Sequence, residues 1–125
     1  MAIGVATVKD YKELEVWQKA VNLATALYEV ISGFPDTERF GLTAQIRRSA
    51  ASVPANIAEG WGRGSTREYV QFLLIARGSL LELETHLIIA HKLGYMIREQ
   101  SDSVQKQLES ISKMLNRLIA ALRSR

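Results

Sequence analysis

For acid–base, nucleophilic or metal chemistry this 125-residue chain offers two histidines, thirteen carboxylates and no cysteine. Without a thiol there is no thiolate nucleophile, no disulfide framework and no cysteine-based zinc or iron–sulfur site, which suits a reducing cytoplasm. A di-iron bundle site needs Glu-x-x-His on two helices with further inward carboxylates. Here Glu84 and His86 are separated by one residue, and His91 stands five positions beyond His86, on another side of any helix. Glu82 and His86 are i,i+4 neighbours; that spacing makes an ordinary surface pair, with an acid–base role as the alternative. No nucleophile, base and orienting group converge, so the sequence predicts a protein that is not an enzyme and that uses no metal or cofactor.

Two features bear on anion binding. The run Gly60-Trp61-Gly62-Arg63-Gly64 superficially resembles a phosphate cradle, but it follows a helical pattern rather than a strand and lacks the Lys-Ser/Thr ending of a P-loop, so it reads as an interhelical turn. Trp61 is either a stacking platform for a base or a bundle residue, and its spacing from Ile57 favours the bundle. The formal charge of +3 is unevenly distributed: from Ser101 to Arg125 five cations face two carboxylates, whereas Met1 to Phe40 carries four cations against six carboxylates. Arg63, Arg67, Arg117, Arg123 and Arg125, joined by Lys9 and Lys12, fall where helix ends meet if the elements below pack antiparallel. They are candidates for contacts to RNA or DNA phosphates, or simply complements to helix dipoles.

Four elements must position these groups. Leu14, Trp17, Val21, Ala24, Tyr28 and Ile31 step by three and four, with Val16, Ala20, Leu23, Leu27 and Val30 widening the stripe, up to a stop near Gly33 ahead of Pro35. A second stripe, Leu42, Ile46, Ala50, Val53, Ile57 and Trp61, contains Pro54, which removes a helical bond to the Ala50 carbonyl and predicts a kink. The third runs from a Ser65–Glu68 capping box through Tyr69, Phe72, Ala76, Leu80, Leu83, Leu87 and Ala90 to Gly94. The fourth, capped by Ser101 or Asp102, carries Val104, Leu108, Ile111, Leu115, Leu118 and Leu122. No strand-like alternation competes, and short connections make the expected fold an all-α, up-down-up-down antiparallel four-helix bundle with a kinked second helix. Residues 1–12 read as an N-terminal arm and 13–125 as the bundle domain. The longest apolar run, Phe72 to Ala76, is far short of the roughly 20 residues a membrane span requires. Met1 to Val8 lacks the basic region and cleavage site of a signal peptide, so a cytoplasmic location is expected.

The third helix carries more apolar surface than one core uses. Val70, Leu74, Leu81 and Ile88, with Arg77, Glu84 and His91, form a second stripe that either widens the core or meets another subunit, and the sequence favours a homo-oligomer. On the second helix Gln45, Arg48, Ser49, Ser52, Asn56, Glu59 and Arg63 line the face opposite the apolar stripe. That face is either solvated or a hydrogen-bonded subunit interface, with Arg48 and Glu59 able to pair across it.

Three segments carry a family resemblance: LEVWQKAVNLA at 14–24, QIRRSAASVPANIAEGWGR at 45–63 and FLLIARGSLLELETHL at 72–87, followed by Lys92-Leu93-Gly94-Tyr95. Together they resemble the four-helix bundle proteins encoded within intervening sequences of large-subunit ribosomal RNA genes. A related branch is the accessory variability protein of diversity-generating retroelements, a basic homopentamer that binds nucleic acid and a reverse transcriptase. The resemblance implies a bundle and a pentamer. It points to a scaffold or accessory protein whose partner is nucleic acid or a nucleic-acid-handling protein; a protein-only adaptor that recruits another polypeptide through its helix faces is the alternative. The chain is less basic than that branch.

Overall fold

The computed structural model describes residues 8–125; most of the arm expected at 1–12 lies outside them. Four helices follow in order: α1 Glu15–Ile31, α2 Leu42–Trp61, α3 Thr66–Lys92 and α4 Arg98–Arg123. Short 3-10 turns at Tyr11–Glu13 and Asp36–Glu38 precede α1 and α2. No strand occurs among the described residues. Each helix packs against its sequence neighbours, and α1 also packs against α4, closing a four-membered ring of helices. Cross-helix pairs run in opposite senses. Arg48 meets Glu82 and Ser52 meets Ser79 across α2 and α3, while Arg77 meets Asn116 and Glu84 meets Gln105 across α3 and α4.

The core is the inward stripe of each helix: Ala20, Leu23 and Leu27 of α1, Ile46, Val53 and Ile57 of α2, Leu73, Ala76 and Leu83 of α3, and Ile111, Leu115 and Leu122 of α4. On α1 the sequence's primary stripe proves to be the flank. Val16, Ala20, Leu23, Leu27 and Ile31 are buried, whereas Trp17, Val21 and Ala24 are half-buried and Tyr28 is exposed beneath the Arg47 guanidinium. Similar one-step corrections occur on α3, where Leu73 rather than Phe72 is fully buried, and on α4, where Ile119 rather than Leu118 is buried. A straight helix of 3.6 residues per turn drifts against a strict alternation of threes and fours, which accounts for the slip at Leu118 near the end of α4. α2 continues unbroken through buried Pro54.

The start of α4 also differs from expectation. Ser101 and Asp102 lie inside the helix, which begins at Arg98. The Ile97 N–H donates to Gln100 Oε1 at 3.1 Å, and buried Met96 anchors the approach, so the helix starts one turn earlier. Asp102 then lies one turn from Arg98, at 3.9 Å. At this end of the bundle Glu38 ties two connections together, accepting the Leu42 N–H at 3.0 Å and the Tyr95 hydroxyl at 3.0 Å. That hydrogen bond is the largest cause raising the Tyr95 pKa.

Candidate functional site

At the opposite end the last turns of α2 and α4, the start of α3 and the segment Val8–Leu14 meet. The Asp10 carboxylate caps the Tyr11–Glu13 turn, accepting the Lys12 N–H at 2.8 Å, and the turn lays the Tyr11 ring edge-on against Trp17 at 5.3 Å and Trp61 at 6.1 Å. Trp61 is therefore half-buried under the N-terminal segment rather than inside the bundle core. α2 ends by turning at Gly62 to Gly64. Gly64 adopts φ +87, a conformation glycine takes without a steric penalty. Ser65 then caps α3, its Oγ accepting the Glu68 N–H at 3.2 Å, as its spacing predicts.

The cations named from sequence divide into two groups here. Arg63 is committed to carboxylates, 3.4 Å from Glu59 and 3.7 Å from Glu68, with its guanidinium over the Phe72 ring. The Lys12 ammonium lies over the Tyr11 ring at 5.7 Å, and Lys9 takes part through its backbone N–H, donating to Glu13 at 2.8 Å. Arg67, Arg117, Arg123 and Arg125 are exposed and have no carboxylate within 4.0 Å among the described residues. Arg117 opens onto a groove between Glu13–Val16 and Met114–Leu118, away from the α2–α3 turn. Asp10, Glu13, Glu15, Glu59 and Glu68 share this end with the seven cations, so its surplus of positive charge is small. The charge is concentrated in the unpaired arginines.

Between the end of α2 and the start of α3 lies a recess of about 190 Å³, walled by Gly60, Trp61, Gly64, Ser65, Thr66 and Tyr69, with Arg125 at its edge. Tyr69 is only 8% exposed and its hydroxyl has no hydrogen-bond partner among the described residues. Burial pushes its pKa up to about 12, against the opposing pull of Arg125. Its place in the apolar stripe of α3 marks Tyr69 as a core residue, which holds for the ring; the stranded hydroxyl leaves no mark in an apolar periodicity.

The interface residues expected from sequence are largely occupied within the chain. The polar face of α2 packs on α3: Arg48 pairs with Glu82, and within α2 Asn56 Nδ2 donates to the Ser52 carbonyl at 2.8 Å, while Glu59 lies 3.4 Å from Arg63 just past the end of the helix. Ser49 is fully buried, its Oγ donating to the Gln45 carbonyl at 2.8 Å. Arg77 and Glu84 are engaged by Asn116 and Gln105 of α4 at 3.1 and 2.8 Å. Val70 and Leu74 are half-buried, while Leu81 and Ile88 remain 58% and 48% exposed. Ile75, Ile89 and Leu93 add further exposed apolar surface to α3, which periodicity along a single stripe does not reveal. His86 Nε2 lies 3.6 Å from Glu82, whose carboxylate is held chiefly by Arg48. No group of three or more His, Asp or Glu side chains is placed to hold a metal among the described residues.

Residues 12–117 match the family model described as 23S rRNA-intervening sequence protein. Among solved structures, the chain is similar to a Bacteroides thetaiotaomicron protein described as of unknown function and from the S23 ribosomal protein family. The two are 27% identical with a TM-score of 0.78, over 84% of this chain and 95% of that one. None of the curated proteins matches. No helix among the described residues is long and apolar enough to cross a membrane.

Proposed function

Because the chain belongs to the 23S rRNA-intervening sequence protein family, we propose that it works as a non-enzymatic, homo-oligomeric accessory scaffold, pentameric as its resemblance implies. It binds nucleic acid or a nucleic-acid-handling protein through the end where α2 and α4 finish and α3 begins, in the cytoplasm. The observation that carries the reading is the set of exposed arginines at that end, Arg67, Arg117, Arg123 and Arg125, without carboxylate partners among the described residues. Guanidinium groups with no internal partner are free to neutralise phosphates, and repetition around an oligomer strengthens weak single contacts. Such contacts position a strand without reading its bases.

Fluorescence anisotropy with RNA and DNA oligonucleotides tests this. Binding is expected to be micromolar and largely sequence-independent, its log affinity falling with log salt by roughly 0.7–0.9 per neutralised phosphate. Changing Arg67, Arg117 and Arg123 together to Gln should flatten that slope; wild type that fails to bind at low salt removes the reading. The exposed Leu81 and Ile88 support self-association, and equally the second reading, a protein-only adaptor. Light scattering decides the oligomer: a mass several times 14.0 kDa is expected, and Leu81→Glu should lower it. Persistence of a monomer at micromolar concentration leaves the adaptor.

A further inference from the structure

We propose that the recess between the end of α2 and the start of α3 is a binding site for a single phosphate group, held by the Tyr69 hydroxyl, the first N–H groups of α3 and Arg125. Insofar as that phosphate belongs to a nucleic-acid strand, the proposal rests on the reading above; as a site for a phosphate oxyanion it stands on the recess alone.

The groups around the recess share one chemistry. α3 is 27 residues long, and its N-terminus carries the partial positive charge of an aligned helix. Ser65 Oγ takes the Glu68 N–H, and the Tyr69 N–H returns to the Ser65 carbonyl at 3.0 Å. The N–H groups of Thr66 and Arg67 are left without an acceptor among the described residues. The Arg125 guanidinium, close enough to act on Tyr69, has donors only. Tyr69, a wall of the same recess, is more than nine-tenths buried, its hydroxyl closed to solvent and without a hydrogen-bond partner among the described residues. Arg125 cannot satisfy that hydroxyl as an acceptor, and the raised pKa keeps the phenol protonated at neutral pH. Helix amides and a phenol from α3, with a guanidinium from the end of the chain after α4, thus present donors of three kinds and await a ligand made of acceptors.

The surroundings agree. Glu59 and Glu68, the carboxylates nearest in sequence, do not line the recess, and Arg63 neutralises both. Gly64 has nothing within 4 Å of where a Cβ would stand, so the mouth stays open. A helix N-terminus reinforced by a cation is a recognised phosphate-binding arrangement. The buried, unsatisfied Tyr69 hydroxyl is the independent feature that points to a ligand here and not merely to a helix end.

The test uses the full chain and inorganic phosphate. At constant ionic strength phosphate, but not chloride, is expected to shift the amide resonances of Thr66 and Arg67 and to raise the melting temperature. Tyr69→Phe should melt no lower than wild type without phosphate, because it deletes an unpaired hydroxyl, yet bind phosphate roughly tenfold more weakly. Arg125→Gln, at an exposed position, should weaken phosphate similarly and keeps the test open if Tyr69→Phe does not fold. Amides that stay unmoved by phosphate, or variants that bind it as wild type does, overturn the site.

Oligonucleotides separate the sources of the phosphate. A 5′-phosphorylated strand that binds more tightly than its 5′-hydroxyl twin, with the advantage lost in Tyr69→Phe, assigns a terminal phosphate. Equal binding of both, weakened by Tyr69→Phe, assigns a backbone phosphodiester. Phosphate bound in the recess with no oligonucleotide bound sustains the site and removes the nucleic-acid reading. Oligonucleotides bound while phosphate leaves Thr66 and Arg67 untouched remove the site and leave that reading intact.

Discussion

The two polar regions of this bundle treat their hydrogen-bonding groups in opposite ways. Along the α2–α3 seam most polar groups find partners inside the chain: Ser49 on its own helix, Ser52 on Ser79 at 2.8 Å, Asn56 on Ser52, and Arg48 on Glu82, with His86 Nε2, 3.6 Å from Glu82, the exception. At the end of the same seam, the Tyr69 hydroxyl and several arginines find none among the described residues. Buried polar groups are costly unless paired, so the satisfied set belongs to folding and the unsatisfied set marks where something outside the chain is expected. Sequence polarity alone does not distinguish them, since both sets begin as polar residues on helices.

Gly60 stands where the two regions join, and replacing it should have the largest effect. A Cβ there would lie 2.8 Å from the Phe72 Cβ and 3.1 Å from the Tyr69 carbonyl oxygen, so α2 and α3 would have to separate. Gly60→Ala is expected to lower unfolding stability by about 2 kcal/mol, read by chemical denaturation, and to disturb the recess as well as the seam. An unchanged midpoint would mean the helices are not held at this distance in solution.

Ser52→Ala attacks the satisfied region alone. It strands the Ser79 hydroxyl and removes the 3.0 Å contact that Ser52 Oγ accepts from Asn56, and should cost about 1 kcal/mol. Changing Ser52 and Ser79 together should cost less than the sum of the two single changes, because no group is then left waiting. Tyr69→Phe, by contrast, should cost nothing in the free protein. If both hydroxyl deletions destabilise alike, the contrast between the regions fails.

What the sequence made legible follows from what periodicity encodes. Four amphipathic stripes and their breaks at Gly33, at Gly60 to Gly64 and at Gly94 specify four helices and the faces they bury. The Ser65 cap was readable because its partner is three residues away. Partners distant in sequence were not. A helical wheel places Arg48 and Ser52 on a face but not against α3, and Glu82 lies 34 residues from Arg48. The arginines near the helix ends were visible as charge, but whether a given one is neutralised depends on local geometry, as at Arg63. The recess was the least legible, because Tyr69 looks apolar by position and its hydroxyl matters only once its neighbours are known.

The outer face of α3 offers a smaller, third case. Gly78 sits mid-helix, exposed, with nothing within 4 Å of its missing Cβ, although glycine there costs roughly 0.8–1 kcal/mol relative to alanine. Nothing among the described residues requires it. Gly78→Ala should therefore stabilise the dilute chain by somewhat under 1 kcal/mol in denaturant titrations. If the face bearing Leu81 packs closely on another copy, the same change should weaken association in light scattering; stabilisation without that loss would place any subunit contact elsewhere.

The smallest expected effect is a pH dependence confined to the seam. The hydrogen bond from Arg48 is the main cause holding the Glu82 carboxyl below its ordinary pKa, with His86 a lesser contributor. A carboxylate whose pKa is lower folded than unfolded stabilises the fold fully above the unfolded value, near 4.3, and loses that contribution as pH falls through the folded value. Both partners are substantially exposed, at 57% and 39%, so solvent screens the pair and its worth is a few tenths of a kcal/mol. Denaturation midpoints for wild type and Arg48→Met should differ slightly and constantly between pH 5 and pH 7, then converge toward pH 3 as Glu82 protonates. A gap that persists at pH 3 would assign Arg48 a packing role along α3 in place of an electrostatic one. The recess should show no such convergence, since burial keeps its phenol protonated throughout this range.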